Sequence, residues 1–298
     1  MAQAHIIAGA ADISVQPRIR RISFADLNEA LRLGIDDFTA MPSHALFLCI
    51  IYPILGLILG RLAFGNNVLP LLFPLAAGFA LIGPFAAIGL YELSRRREQG
   101  LDTHWTHAFD VFRSQSFGAI AALGLLLCVI FVIWVALAES IYVAFFGYKP
   151  AADIPDFLSQ VFATPQGWGL IVVGNFVGFL FAVVALAISA VSFPLLLDRD
   201  VGAATAISTS VRAFLENPLP MAAWGVIVAA LLVIGTIPFF LGLTVVLPVL
   251  GHATWHLYRK VVEADRHPQP QYREPPSGRH FAAEFPASLF ARHTDRPQ

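Results

Sequence analysis

Long apolar runs, separated by short polar segments, fill most of this chain. Six of the runs are long enough to cross a bilayer as helices, because a crossing helix needs about 20 mainly apolar residues. We place them at residues 46–62, 69–93, 117–146, 168–197, 220–237 and 239–257. The pattern predicts an all-α fold: a polytopic membrane helix bundle in which six transmembrane helices form three hairpins.

A shorter segment precedes each hairpin and places apolar residues at spacings of three and four, which indicates one face of a helix. The first covers residues 24–38 and opens with Ser23 and Asp26, a capping-box pattern. The other two cover residues 105–112 and 204–214. We expect three amphipathic helices on the cytoplasmic side, the first of them lying on the membrane surface. Packing of that first helix on another protein domain is the alternative.

The two ends of the chain differ from its middle. Residues 1–22 contain no basic region ahead of a long apolar core, so we expect a flexible N-terminus and no cleaved signal peptide. Residues 263–298 are rich in Pro, Arg and His without any periodicity, which predicts a disordered cytoplasmic tail. The predicted six-span membrane domain therefore covers residues 23–262.

Basic residues indicate the orientation of the predicted bundle, because the cytoplasmic loops of membrane proteins carry an excess of Lys and Arg. If the first span leaves from the cytoplasm, seventeen of the nineteen Lys and Arg residues lie on that side, and only Arg61 and Lys149 lie on the other. Six spans with cytoplasmic N- and C-termini produce this division, whereas an odd number of spans would mix the two groups.

Composition supports a membrane location and argues against several other classes of protein. Charged residues make up 13% of the chain, about half of the share in soluble domains, and the mean hydropathy is +0.70. A net charge of −1 offers no basic surface to nucleic acid. The two cysteines, Cys49 and Cys128, lie in apolar runs, so we expect neither a disulfide framework nor a cysteine metal site.

The predicted units share local features, which indicates an internal repeat. Pro84 lies eleven residues before Arg95, at the exit of the first predicted hairpin. Pro248 lies the same distance before Arg259, at the exit of the third. Each unit would then be one amphipathic helix followed by one membrane hairpin.

Three polar residues in the predicted spans are candidates for an intramembrane polar site: Glu92, Glu139 and Asn175. Glu92 comes just before three consecutive arginines, so an ion pair at the interface is the simpler interpretation. Glu139 lies near the outer end of its span, where the cost of about 2.5–3.5 kcal/mol for a charge at the bilayer centre falls. Asn175 suits either a hydrogen bond between helices or a ligand contact.

His252 and His256 form the best metal-like pattern, since residues four apart share a helix face and both imidazoles could reach one ion. Two ligands do not make a site, and polar residues at a helix end are the alternative interpretation, which we also apply to His104 and His107. The chain has no phosphate-binding loop, no paired CxxC and no nucleophile elbow. We therefore predict no catalytic residues, no enzyme activity, no metal and no cofactor.

The stretch PLAAGFALIGPFAAIGLYELSRRREQG at residues 74–100, with DLNEALRLGIDDF upstream, resembles a bacterial family of predicted integral membrane proteins, domain of unknown function 2189. The resemblance covers residues 20–262 and implies a location in the bacterial inner membrane. Some members are labelled as cytochrome c oxidase subunits, but this chain lacks the spacing of haem or copper ligands that a catalytic oxidase subunit needs. The family supplies no catalytic residues.

These observations lead to three hypotheses. The first, which we favour, is a non-catalytic accessory or assembly partner whose partners are the lipid bilayer and other membrane proteins, such as a respiratory complex. The second is a transporter or channel for a small solute, since broken helices often line transport sites and four prolines interrupt the predicted spans: Pro74, Pro84, Pro194 and Pro248. The third is an enzyme with a metal at the histidine pair, which would need a third ligand.

Overall fold

The computed structural model describes residues 17–41, 74–76, 83–85, 87–148, 154–238 and 240–264. These parts of the chain are helical and contain no β-strand, which confirms the all-α prediction for them. The α-helices are α1 (Phe24–Ala40), α2 (Ile88–Glu98), α3 (Phe117–Phe146), α4 (Ile154–Ala163), α5 (Pro165–Ser189), α6 (Ser192–Asp198), α7 (Gly202–Glu216), α8 (Pro218–Thr236) and α9 (Leu243–Val261), and a 3₁₀ helix covers Trp105–Arg113. The predicted span 46–62, most of the span 69–93, the first sixteen residues and the tail beyond residue 264 lie outside the described residues.

Helix α1 begins with the capping box that its sequence predicts. The Ser23 hydroxyl accepts a hydrogen bond from the Asp26 backbone N–H at 3.4 Å, and the Asp26 carboxylate accepts one from the Ser23 N–H at 2.8 Å. Both bonds satisfy backbone donors that the first turn leaves without partners. The buried face of α1, formed by Leu27, Ala30 and Gly34, packs against α9. This face therefore contacts protein, and the expected position of α1 on the membrane surface stays a prediction.

The contact between α1 and α9 is close because Gly34 has no side chain. A Cβ atom at Gly34 would lie 2.6 Å from both the Cβ and the backbone nitrogen of Ala253, nearer than such atoms approach. The two helices therefore touch through their backbones, and their relative position depends on this glycine.

Three helical segments of the described chain are long and apolar enough to cross a membrane: Phe117–Phe146, Pro165–Asp198 and Pro218–Thr236. They correspond to the third, fourth and fifth predicted spans, and the third agrees at both ends. Helix α9 is not among them. It begins four residues later than the predicted span 239–257, ends in Arg259 and Lys260, and is buried in protein along its second half. The full set of six spans and three hairpins stays a prediction.

Helices α3 and α5 pack against each other and run in opposite directions. A Cβ atom at Gly178 of α5 would lie 2.9 Å from the ring of Trp134, and one at Gly169 would lie 2.5 Å from the ring of Phe145. The order of these pairs reverses along the two helices, so α3 and α5 are antiparallel.

A two-residue break separates α5 from α6, where the sequence predicted one continuous span over 168–197. At the break, the Val191 N–H donates to the Ser210 hydroxyl of α7 at 3.2 Å. The Ser192 hydroxyl lies 2.5 Å from the Ile188 carbonyl and 3.0 Å from the Ala206 carbonyl. Side chains thus bond to backbone groups at the break. All seven residues of α6, beyond the break, are buried.

The main hydrophobic core lies where α1, α2, α6, α7 and the second half of α9 meet the inner side of α3, the end of α5 and the beginning of α8. Its largest fully buried side chains come from separate parts of the chain: Trp224, Trp255, Tyr91, Tyr258 and Phe193. Farther along α3 and α5, by contrast, large apolar side chains such as Val132 and Phe176 are exposed. The molecule therefore has one end that is packed like a globular protein and another end whose helices present apolar side chains outward.

The two flanks of the described chain meet beside this core. Ile19 and Val262 form an isolated antiparallel bridge, in which the Arg20 N–H donates to the Val261 carbonyl at 2.7 Å. Asn217, at the junction of α7 and α8, accepts from the Ile22 N–H at 2.8 Å and donates to the Arg20 carbonyl at 3.1 Å. One asparagine thus connects the N-terminal flank to the start of α8.

Candidate functional site

A buried carboxylate at the end of α1 is the centre of a polar network. Asp37 is only 3% exposed. It accepts hydrogen bonds from the Ser94 hydroxyl at 2.5 Å and from His256 Nε2 at 2.9 Å, and Arg97 forms a close ion pair with its other oxygen. Three helices, α1, α2 and α9, supply these groups. We call these residues, together with His252, the Asp37 network.

His252 enters the Asp37 network through Ser94. Its Nδ1 lies 2.7 Å from the Ser94 oxygen and 3.9 Å from Asp37 Oδ2. Because the single hydroxyl proton of Ser94 goes to the carboxylate, Nδ1 of His252 must carry a proton and donate it to the Ser94 oxygen. Nε2 of His252 is buried and has no partner among the described residues.

The pKa of the Asp37 carboxyl reflects two opposed effects. Burial raises it, but hydrogen bonds from His256 and Ser94 and the nearby histidine charges together bring it below its usual value. The carboxylate therefore stays ionised while buried. An ionised acceptor makes shorter and stronger hydrogen bonds than a neutral one, so the network stabilises the packing of α1 on α2 and α9.

A second buried carboxylate, Asp198 at the end of α6, joins α6 to α9. It accepts from the Tyr258 hydroxyl at 2.6 Å and from the Arg259 guanidinium at 3.0 Å. Arg259 also donates to Glu98 at 3.0 Å and lies over the ring of Trp255, 4.7 Å from its centroid. A guanidinium that binds two carboxylates and stacks on a ring uses its planar shape as well as its charge.

The pKa values of the Asp198 partners shift in the direction that this arrangement requires. Burial raises the pKa of Tyr258 well above its usual value, and the neighbouring Asp198 charge raises it further. Burial acts to lower the pKa of Arg259, but the charges of Asp198 and Glu98 outweigh it and the pKa rises. Tyr258 is thus a neutral donor and Arg259 a permanent cation.

Glu92, one of the three polar residues singled out in the sequence, lies in α2 and is fully buried. Arg95 holds it with two hydrogen bonds, at 2.7 and 3.0 Å, and Arg96 lies 3.8 Å away. Arg96 also reaches Asp110 of the 3₁₀ helix at 3.5 Å. The Glu92 carboxylate is therefore neutralised by its own helix and connects α2 to the segment that follows.

Glu139 and Asn175 lie elsewhere, on the outward-facing parts of α3 and α5. Both residues are exposed. The Asn175 amide donates to the Ile171 carbonyl of its own helix at 2.8 Å. The antiparallel pairing of α3 and α5 puts the two residues at a similar height, but the structure does not bring them into the Asp37 network.

The two predicted histidines therefore both approach the Asp37 carboxylate. The groups of the Asp37 network bond mainly to one another. Ser94 is 1% exposed and His252 is completely buried, so neither reaches solvent in this conformation. Among the described residues, no group of three or more His, Cys, Asp or Glu side chains has a geometry that could hold a metal ion. His104 and His107 bond instead to Thr106, Asp102 and Asp110 at the surface.

Sequence reasoning missed Asp37, Ser94 and Asp198. The helical period of α1 puts Asp37 next to the exposed Asp36, on what looks like the polar face. A usable signal was Gly34, one turn earlier: a glycine inside a helix permits a close approach by another helix, which would bury its neighbours. Nothing comparable marks Asp198.

Comparison with known families agrees with the resemblance seen in the sequence. Residues 72–198 match the family described as "Predicted integral membrane protein (DUF2189)". The match includes α2 to α6, and hence Ser94, Arg97 and Asp198, but it leaves out α1 and α9. No curated protein and no solved structure is significantly similar to the chain. The protein is an integral membrane protein whose helices include three that are apolar enough to span a membrane.

Proposed function

We propose that this protein is a non-catalytic accessory or assembly partner of other membrane proteins in a bacterial inner membrane, with a respiratory complex as the first partner to test. The observation that carries the proposal is the uncovered apolar surface of its spanning helices. Only 6% of the most apolar window of Pro165–Asp198 is buried within the protein, and 17% of that of Pro218–Thr236. Lipid alone can cover these apolar surfaces. A helix that assembles with other membrane proteins also requires an apolar surface that its own chain leaves uncovered.

The polar groups support a structural role for the rest of the molecule. Asp37, Glu92 and Asp198 are each buried and each bound by a basic side chain. A catalytic site usually keeps at least one group with an open position for substrate. Asp37 and Asp198 hold separate helices together and Glu92 is paired within α2, which suits a scaffold.

We further propose the predicted topology of six spans in three hairpins. The ends of two predicted hairpins meet at polar contacts: the Asp37–Ser94 bond of 2.5 Å brackets residues 42–87, and the Ser116 hydroxyl donates to Asp200 at 3.4 Å across α3 to α6. A segment that leaves and returns at one contact crosses the membrane an even number of times.

The third hairpin, α8 with α9, is supported in the same way. Asn217 at the start of α8 bonds to Arg20, and Arg20 bonds to Val261 at the end of α9. The flanks at Ile19 and Val262 also pair with each other. This pairing favours an even total number of crossings and both flanks on the cytoplasmic side, in line with the distribution of arginine and lysine.

Site-specific photo-crosslinking in native membranes tests the partner hypothesis. A photoreactive phenylalanine analogue at Phe176, 62% exposed on α5, should give discrete adducts with another protein. The same analogue at Phe193, which is fully buried, is the control and should give none. If Phe176 forms adducts with lipid only, and purification in mild detergent recovers no stable partner, the hypothesis is wrong.

The topology can be tested with the two lysines of the chain, Lys149 and Lys260. An amine reagent that cannot cross membranes should label Lys149 from outside spheroplasts and leave Lys260 unlabelled. Permeabilised spheroplasts serve as the control, since both residues should then react. Labelling of Lys260 alone from outside would contradict the proposed orientation.

A small-solute transporter is the second candidate, and the break between α5 and α6 is the observation in its favour, because discontinuous helices line many transport sites. Solute flux into liposomes that contain the purified protein would test it. Replacement of the exposed polar residues, Glu139→Gln and Asn175→Ala, should reduce such flux. Flux that is unchanged in both variants would remove these residues from the pathway.

A further inference from the structure

The 3₁₀ helix Trp105–Arg113 sorts its residues onto three faces. Side chains three apart are eclipsed in a 3₁₀ helix, so each face is a row with a step of three. The buried row contains Ala108 and Val111. The ionic row contains His107, Asp110 and Arg113, which pair with one another.

The third row is apolar and exposed. Phe109 is 47% exposed and Phe112 is 63% exposed. Their rings are stacked with centroids 6.4 Å apart, and Trp105 meets the edge of Phe109 at 6.1 Å. Aromatic rings at such distances stabilise one another, so the exposed rings form an ordered surface. By the step of three, Trp105 lies in line with the buried row and supports Phe109 from the side. We call Phe109 and Phe112 the aromatic row.

The aromatic row continues directly into a spanning helix. Phe112 packs edge-on against Phe117, the first residue of α3, with ring centroids 5.4 Å apart. Helix α3 then presents exposed Leu125, Val129 and Val132. The exposed rings therefore lie just ahead of the first turn of α3 and add to its apolar surface.

The other two amphipathic helices pack more of their residues against the protein. Leu27 and Ala30 of α1 and Ala206 and Ala213 of α7 are buried, although Phe24, Ile35 and Leu215 are exposed. On the 3₁₀ helix the buried and ionic rows already contact α2, through Gly89 with Ala108 and through Arg96 with Asp110. The aromatic row is thus the apolar side that this segment presents outward.

We propose that the aromatic row lies in the membrane interface and contacts lipid where acyl chains meet headgroups. A helix that puts apolar residues such as Phe, Trp and Leu on one side and ionic residues on the other lies parallel to the surface, with its apolar side at the boundary of headgroups and acyl chains. The ionic row, with Arg113 48% exposed, then faces the headgroups and water. This contact fixes the depth at which α3 enters the bilayer, and it holds whether or not the protein binds a partner.

Spin labels report the depth of the row. The full chain carries Cys49→Ala and Cys128→Ala, a nitroxide label at Phe112→Cys or, as control, at Arg113→Cys, and is reconstituted in phosphatidylethanolamine–phosphatidylglycerol liposomes. Oxygen concentrates in the acyl region and a nickel chelate in water, so their collision rates with the label give its depth. We expect the ratio of oxygen to nickel collisions to be several-fold higher at position 112 than at position 113.

A second variant, Phe109→Cys, lies on the same row and should behave like position 112 if the Phe112 variant does not fold. Equal ratios at positions 109, 112 and 113 with high nickel access would place the row in water and overturn the proposal. A label at position 109 or 112 that neither reagent reaches would mean that protein covers the row, which also overturns it. Neither result would affect the photo-crosslinking at Phe176, so the two proposals fail separately.

Discussion

Neutralising Asp37 should destabilise the protein far more than neutralising its sequence neighbour Asp36. Asp37 is 3% exposed and accepts charge-assisted bonds from Ser94, His256 and Arg97. Removing one member of a buried ionic cluster costs about 3–5 kcal/mol. We expect Asp37→Asn to cost about 3 kcal/mol, at the lower end of that range, because the Arg97 side chain is 40% exposed and water can hydrate it.

The control variant, Asp36→Asn, removes a carboxylate from the same helix turn. The Asp36 side chain is 48% exposed and pairs with the exposed Arg32 at 3.2 Å, an interaction of about 0.3–0.5 kcal/mol. Unfolding in mixed micelles with increasing SDS, followed by circular dichroism, measures both variants against the native chain. If the two substitutions lower the free energy of unfolding equally, the Asp37 network does not hold α1 in place.

The pH dependence of the free energy of unfolding tests the same substitution independently. Since the pKa of Asp37 is lower in the folded protein than in the unfolded chain, its contribution is fully present above the unfolded pKa of about 3.9. It is lost as the pH falls through the lower folded value. The native protein should therefore lose more stability than Asp37→Asn between about pH 4 and pH 2. Parallel losses would show that the carboxylate is not stabilised by folding.

Two further substitutions test the contacts around α9. Gly34→Ala would force a Cβ atom to within 2.6 Å of Ala253 and should lower the free energy of unfolding by about 1–3 kcal/mol. The control Gly174→Ala, where a Cβ atom would have nothing within 4 Å, should be neutral. Thermal unfolding in detergent compares the two variants, and equal stabilities would contradict the close approach of α1 and α9. Arg259→Lys loses the planar contacts to two carboxylates and a ring and should lower the free energy of unfolding by about 1–3 kcal/mol. The control Lys260→Ala removes a half-exposed ion pair of 2.6 Å and should lower it by under about 1 kcal/mol. A larger effect at Lys260 in the same assay would refute this ranking.

Local pattern was sufficient to predict much of the helical fold. The capping-box pattern of Ser23 and Asp26 predicted the start of α1. The apolar run 117–146 coincides with α3 because an uninterrupted apolar run contains no polar segment at which the helix would end earlier. The spacing of His252 and His256 correctly put both on one helix face, and both rings approach Asp37. These features depend on residues within one or two turns of each other.

Features that depend on distant contacts were not predicted. Asp37 lies 57 residues before Ser94 and 219 before His256, so no local period could indicate that its donors would come from two other helices. At the break after α5 the Val191 N–H bonds to Ser210, nineteen residues later in the chain, and a hydropathy profile cannot detect this contact. The segment 105–112 was assigned an α-helical period with Ala108, Phe109 and Phe112 on one face, whereas the 3₁₀ step of three buries Ala108 and leaves Phe109 and Phe112 exposed.

The antiparallel bridge between Ile19 and Val262 has a practical use in studying the protein in cells. Two fluorophores, one attached at the exposed Arg18 and one at the exposed Ala264, would lie close together in every folded molecule. Energy transfer between them would then report folding inside living membranes, without purification and without any assay for activity.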